Sequence, residues 1–241
     1  MDFERIGEMS VDDARKDVSL RQLVEREFID QSLPIKNNPS WVDKTIDIVW
    51  NTLNANIPEV VNAHKTGKTF QLKQIPYNER LAEMDFRMDA SRDVELFLKK
   101  CSSDDVGKEI DLSNYYKGSM DLVFAQNIDG ETRYSVLDWK TNLLPVYDEK
   151  TVKNSVFEKY SIQLVLYSYC LVQWLHCIFH EKSLEDTFNK YFGGVYYVFV
   201  RGCESDRESG VYAHLWENFG ELQKGYEEVV RIMVSEKGGQ K

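Results

Sequence analysis

The sequence predicts an α/β protein: a central mixed β-sheet flanked by helices, with a helical segment at its N-terminal side. Three observations carry this. Residues 118–124 and 135–140 are rich in Val, Leu, Phe, Tyr and Trp and enclose Asn127-Ile-Asp129-Gly130, a strong hairpin signal. Gly193-Gly-Val-Tyr-Tyr-Val-Phe-Val-Arg201 is an unbroken apolar run of the kind buried on both faces of a sheet. Apolar residues at helical spacing fill the stretches before, between and after these strands.

Taken in order, Ser10 is placed to cap a helix over 10–30, with Leu20, Leu23, Val24, Glu27 and Phe28 at helical spacing. Pro34 and Asn37-Asn-Pro39 break the chain. Ser40 then caps a second helix with Trp41, Thr45, Ile48 and Val49 on one side. After Pro58 a third helical segment is expected to reach His64. His64-Lys-Thr-Gly-Lys-Thr69 has the tail of a phosphate-binding loop, but Asn62 stands where the loop needs glycine and no apolar strand precedes it. It reads as a polar connector. Over 81–88, Leu81, Glu83, Asp85 and Arg87 alternate with Ala82, Met84, Phe86 and Met88, the pattern of a half-buried strand. A short helix at 91–100 and a polar insertion at 101–112 lead to the hairpin. Pro145 ends the loop that leaves it.

A long helix is expected from about 148 to about 182; its later part is apolar nearly all round, so it is buried. Residues 161–180 lack Asp, Glu, Lys and Arg, but Gln163, Gln173, His176 and several hydroxyls mark a core helix rather than a membrane span. After the 193–201 strand come a charged loop at 204–210, a helix over 216–235 and a frayed tail. The expected organisation is a helical segment, 1–78, packed on a core, 79–241, as one domain.

The 241 residues are 42% hydrophobic and 12% aromatic, enough for a core, which excludes a disordered chain. A net charge of −10 excludes a general nucleic-acid coat; any DNA contact is local or supplied by a partner. The cysteines, at 101, 170, 177 and 203, form no Cys-x-x-Cys pair, which argues against zinc or iron–sulfur centres and for free thiols. The opening Met1-Asp-Phe-Glu-Arg5 has no apolar signal region, so a cytoplasmic location with no membrane contact is expected.

Candidate chemistry lies on the hairpin. With Asp129-Gly130 as a two-residue turn, Ile128 faces Glu131 and Asp121 faces Asp138. Acidic residues directly opposed across an antiparallel pair have Cβ atoms about 5 Å apart, and their carboxylates repel. A divalent cation between them is the simplest reason for such a pair. Alternation places Lys140 on the same face as Asp138. Surface strands also carry Asp and Lys on their wet face, so this pattern alone leaves both readings open.

These residues resemble the Asp…Asp-x-Lys core of the PD-(D/E)xK nucleases. Asp138-Trp-Lys-Thr-Asn142 resembles the Asp-Tyr-Lys-Ser-Asn signature of the RecB family, nuclease–helicase subunits of exodeoxyribonuclease V. Gln163 and Tyr167, in Tyr160-Ser-Ile-Gln-Leu-Val-Leu-Tyr167, resemble its Gln-x-x-x-Tyr motif, and i, i+4 spacing puts both on one helix face. Phe192-Gly-Gly-Val-Tyr-Tyr-Val-Phe-Val-Arg-Gly202 resembles the segment that follows in RecB, and Glu83-Met-Asp-Phe86 the family's Glu-x-x-Phe strand. The motifs occur in the family's order over residues 15–235.

The resemblance implies a restriction-endonuclease-like core and a Mg²⁺-dependent DNA exonuclease acting in double-strand break processing and recombinational repair. It implies that Asp121, Asp138 and the main-chain carbonyl of Trp139 hold one or two Mg²⁺ ions, with Mn²⁺ or Ca²⁺ able to substitute in binding. It assigns Lys140 to the attacking water and Gln163 and Tyr167 to the substrate strand or Lys140, with Glu83 in support. Implied partners are single-stranded DNA ends and RecC-like and RecD-like subunits, in a larger helicase–nuclease chain. One departure stands out. The family's first core helix carries Gly-Thr-x-x-His-x-x-x-Glu with a metal-binding His; aligning Asp17-Val-Ser-Leu-Arg21-Gln-Leu-Val-Glu25 retains Glu25 but puts Arg21 at the His. Arginine stays protonated and cannot ligate. The alternative expectation is therefore a weakened or inactive docking module in a recombination complex; a stand-alone endonuclease on duplex DNA is a further rival.

Overall fold

A computed structural model describes residues 1–35, 38–61, 64–89 and 115–238. The helix expected at 91–100, the insertion at 101–112 and Cys101 lie outside the described residues.

Helices α1 (Phe3–Glu8), α2 (Val11–Lys16), α3 (Val18–Asp30) and α4 (Ser40–Asn54) open the chain. The single helix expected over 10–30 is two. Ser10 caps α2, its hydroxyl accepting from the Asp13 N–H. Asp17 ends α2 and caps α3, its carboxylate accepting from the Leu20 N–H at 2.8 Å. A short polar side chain that satisfies orphan N–H groups restarts a helix in a new direction without a proline. Ser40 is the first residue of α4 rather than its cap; Pro39 precedes it.

The helix expected after Pro58 is instead strand β1 (Ile57–Val61), which pairs antiparallel with β2 (His64–Phe70). His64-Lys-Thr-Gly-Lys-Thr69 is thus most of a strand, not a connector. Ile57, Val60 and Phe70 are buried, and Pro58, which cannot donate, sits at a shift in the ladder's register.

The main sheet contains β3 (Arg80–Asp89), β4 (Tyr115–Ile128), β5 (Glu131–Lys140), β6 (Phe192–Phe199) and β7 (Val211–His214), in that order. It is mixed: β5 and β6 run parallel and every other neighbouring pair is antiparallel. A parallel pair needs a crossover, supplied by α5 (Glu149–Phe179) and α6 (Leu184–Tyr191); α7 (Phe219–Gly238) closes the described chain. Short α6 and β7 did not emerge from the sequence reading.

The sheet separates two apolar layers. Val123, Val136, Val195, Tyr197 and Phe199 pack toward α5, α6 and α7. Leu122, Phe124, Leu137, Tyr196 and Val198 pack toward the N-terminal helices and the β1–β2 hairpin. Among the described residues, α5 alone has the length and composition to cross a membrane. Its Leu164, Leu171, Val172 and Leu175 are buried in the core beneath the sheet.

Candidate active site

The turn at the tip of the hairpin fixes everything beyond it. Asp129 and Gly130 have φ of 52° and 89°, the left-handed conformations that a two-residue type I′ turn requires. The ladder runs from Ile128 opposite Glu131 to Leu122 opposite Leu137 and stops. Asp121 and Asp138 are the next residues, where β4 and β5 part. The Trp139 N–H donates to Asp121 Oδ2 at 2.8 Å. In an extended strand, the N–H and C=O of one residue point to the same neighbour, so the Trp139 carbonyl also opens toward this fork. The Lys140 carbonyl faces the other way and accepts from the Val200 N–H.

Asp138 is 2% exposed. Its Oδ1 accepts from Gln163 Nε2 at 2.9 Å. The Lys140 ammonium forms an ion pair with Oδ2, but that buried oxygen receives no well-aligned hydrogen bond. Burial pushes the Asp138 pKa above the ordinary carboxylate value, and the charge of Asp121 adds to the rise; Lys140 and Gln163 oppose it.

Gln163 joins the site's parts. Its amide nitrogen donates to Asp138 and, at 2.8 Å, to the Tyr167 hydroxyl, while its Oε1 accepts from Lys140 Nζ at 3.0 Å. Tyr167 in turn donates to the Ser119 carbonyl of β4. Burial pushes its pKa up to about 12, so it is a neutral donor at neutral pH. The i, i+4 spacing on α5 thus bridges two strands. Tyr160, one turn before Gln163, lies against Lys140 and was given no role by sequence reasoning; its i, i+3 spacing from Gln163 is the signal that could have found it.

Glu83 lies on β3 opposite Asp121, between the pairs Ala82–Leu122 and Met84–Met120. It is exposed, with φ of 53°, an unusual conformation for a residue with a Cβ. Acidic residues therefore occupy matching positions on three neighbouring strands. Among the described residues, no three His, Cys, Asp or Glu side chains are close enough together to hold a metal. Arg21 and Glu25 are not brought to the fork. They lie on α3, in the layer across the sheet from α5, where Arg21 donates to Asp43 of α4 and to the Arg15 carbonyl.

No family model matches the chain. Three curated relatives are RecB subunits of the RecBCD enzyme. The Buchnera aphidicola protein is 36% identical over 91 residues, covering 36% of this chain and 7% of the relative. The Haemophilus influenzae protein is 31% identical over 102 residues, 40% of this chain and 8% of the relative. The Escherichia coli protein is 24% identical over 207 residues, 77% of this chain and 17% of the relative. The chain spans less than a fifth of the length of any of these three proteins. Over the stretches that align, it is related to RecB subunits.

Proposed function

We propose that this chain is a Mg²⁺-dependent DNA exonuclease domain of RecB type, hydrolysing phosphodiester bonds at DNA ends during double-strand break processing and recombinational repair. The observation that carries this reading is the fork between β4 and β5, where Asp121 accepts from the Trp139 N–H and buried Asp138 is paired with Lys140. Asp138 Oδ2, buried and paired with the Lys140 ammonium, would share its charge between that ammonium and a cation. Two carboxylates and a carbonyl are hard oxygen donors suited to Mg²⁺, which keeps several waters and takes further ligands from substrate phosphate. Mn²⁺ or Ca²⁺ would bind the same donors. Once bound, the metal would supply Lewis-acid stabilisation of charge on the phosphoryl oxygens and acidify a water.

The chain's own residues do the rest. Asp121 and Asp138 hold the cation from adjacent strands. Lys140 sets positive charge beside the attacked phosphate and orients the water. Gln163 fixes Asp138 and Lys140 relative to each other, and Tyr167 fixes Gln163 to β4. Glu83, opposite Asp121 on the third strand, does not complete a three-acid cluster with Asp121 and Asp138. An acidic chain suits a domain that receives DNA ends rather than captures them, so RecC-like and RecD-like subunits and a motor elsewhere in a longer protein are the proposed context.

The test is a Mg²⁺ titration with end-labelled single-stranded DNA. The wild type should cut and Asp138→Ala should lose at least about a thousandfold in rate, while closed circular duplex stays intact. A second reading, a docking module without cleavage, is favoured by the convergence of only two acids with Lys140 already paired to one of them. It requires wild type and Asp138→Ala to be equally inert at every Mg²⁺ and Mn²⁺ level.

A further inference from the structure

Tyr160 holds a place that the proposed chemistry does not yet use. The Lys140 ammonium lies 3.8 Å from the centre of its ring and 5.5 Å from that of Tyr197. The two rings are stacked, with centroids 5.9 Å apart and planes within 19°. The Tyr160 hydroxyl donates to Asn142 Oδ1 at 2.8 Å, in the loop that follows Lys140. The ring is therefore fixed by its helix, by a β6 aromatic and by the segment that carries the lysine.

We propose that Tyr160 is a positioning residue for Lys140, holding the ammonium in place when Asp138 is shared with a cation. Lys140 has three restraints: Asp138, Gln163 Oε1 and the aromatic faces. A cation on Asp138 weakens the first and repels the ammonium. One hydrogen bond to Gln163 is a poor restraint for a four-carbon stem with free rotation. A ring face attracts an ammonium through its quadrupole without occupying any N–H. Held this way, Lys140 keeps donors for a phosphate oxygen or a water. The consequence for cleavage rests on the nuclease reading; the clamp, the contact of Lys140 with the two rings, does not.

NMR of lysine side chains reads the clamp without any activity. The ring current over an aromatic face moves the Lys140 ε-methylene protons upfield of the other lysines, and Lys140→Arg identifies the signal by removing it. Wild type and Tyr160→Phe should show the displaced signal, and Tyr160→Leu should lose it. In cleavage assays, folded Tyr160→Leu should lose kcat by at least about tenfold with KM and Ca²⁺ affinity unchanged, and Tyr160→Phe should stay within about threefold of wild type. A ring with a merely structural role would lower the melting temperature and leave kcat intact. A wild-type spectrum with no upfield Lys140 signal overturns the clamp, whether or not Tyr160→Leu folds. Full kcat in folded Tyr160→Leu overturns the positioning role. If wild type cuts no DNA, the nuclease reading fails and the spectrum still decides the clamp.

Discussion

Gln163 is the residue on which the site's geometry turns. It contacts Asp138, Lys140 and Tyr167 at once, and among the described residues no other side chain hydrogen-bonds both charged groups. Gln163→Leu keeps the volume and deletes all three bonds. Metal-dependent cleavage should fall by about a hundredfold while the melting temperature moves by only a few degrees; unchanged cleavage in a folded variant would remove Gln163 from the site. How such residues come together was only half legible. Asp121, Asp138 and Lys140 could be placed from the sequence because Asp129-Gly130 dictates one register and register dictates the face. That Gln163 and Tyr167 share a helix face was readable too. Which strand that face meets was not, because it depends on how α5 crosses the sheet. The same limit hid Tyr160, and it let Arg21 be aligned with a metal ligand although it pairs with Asp43 across the sheet from α5.

Among the elements, β6 was the plainest to read and its glycines explain why. A Cβ on Gly194 would stand 2.6 Å from Val60 Cγ2, and one on Gly193 would meet the Ser135 hydroxyl. The strand is apolar throughout and thinned where β1 and β5 press against it. Gly194→Val should destabilise the chain by about 2 kcal/mol or more through overpacking, read as a lower denaturant midpoint; an unchanged midpoint would show that β1 can yield. By contrast β1 and β2 were read as helix and connector, because five apolar-rich residues interrupted by proline carry no decisive period, and β2 owes its burial to Phe70 alone. On β7, His214 is buried with Nε2 unpartnered, and burial followed by the nearby Lys153 charge lowers its pKa from 6.5 to about 4. A depressed folded value means the neutral ring's contribution is present above pH 6.5 and is lost as pH falls toward 4. Between pH 7 and pH 5, His214→Gln should therefore lose about 2 kcal/mol less stability than wild type, measured by denaturant titration. Parallel losses would mean that the imidazole is not desolvated.

For the whole molecule, the sheet is a wall with one apolar layer on each side, and both layers are needed to bury it. Leu122, Phe124, Leu137, Tyr196 and Val198, each at most 2% exposed, have the N-terminal helices and the β1–β2 hairpin as their cover. A chain beginning at residue 79 should therefore fail to fold, and loss of the cooperative thermal transition in circular dichroism would show it. A stable, cooperative fragment would make residues 1–78 an appendage. The order of strands, hairpin, crossover helix and buried strand was readable because each has its own period. The layer that residues 1–78 form was not, since its helices are short and are turned by single capping side chains such as Asp17.

Asp121 and Asp138 are proposed to share a divalent cation where β4 and β5 part. Crystals soaked in Mn²⁺ and measured at the manganese edge test it most directly. An anomalous peak should lie between the two carboxylates, within ligand distance of the Trp139 carbonyl, and be absent in Asp138→Ala crystals treated alike. Clean density for both side chains with no peak between them, or a peak that persists in Asp138→Ala, would contradict it.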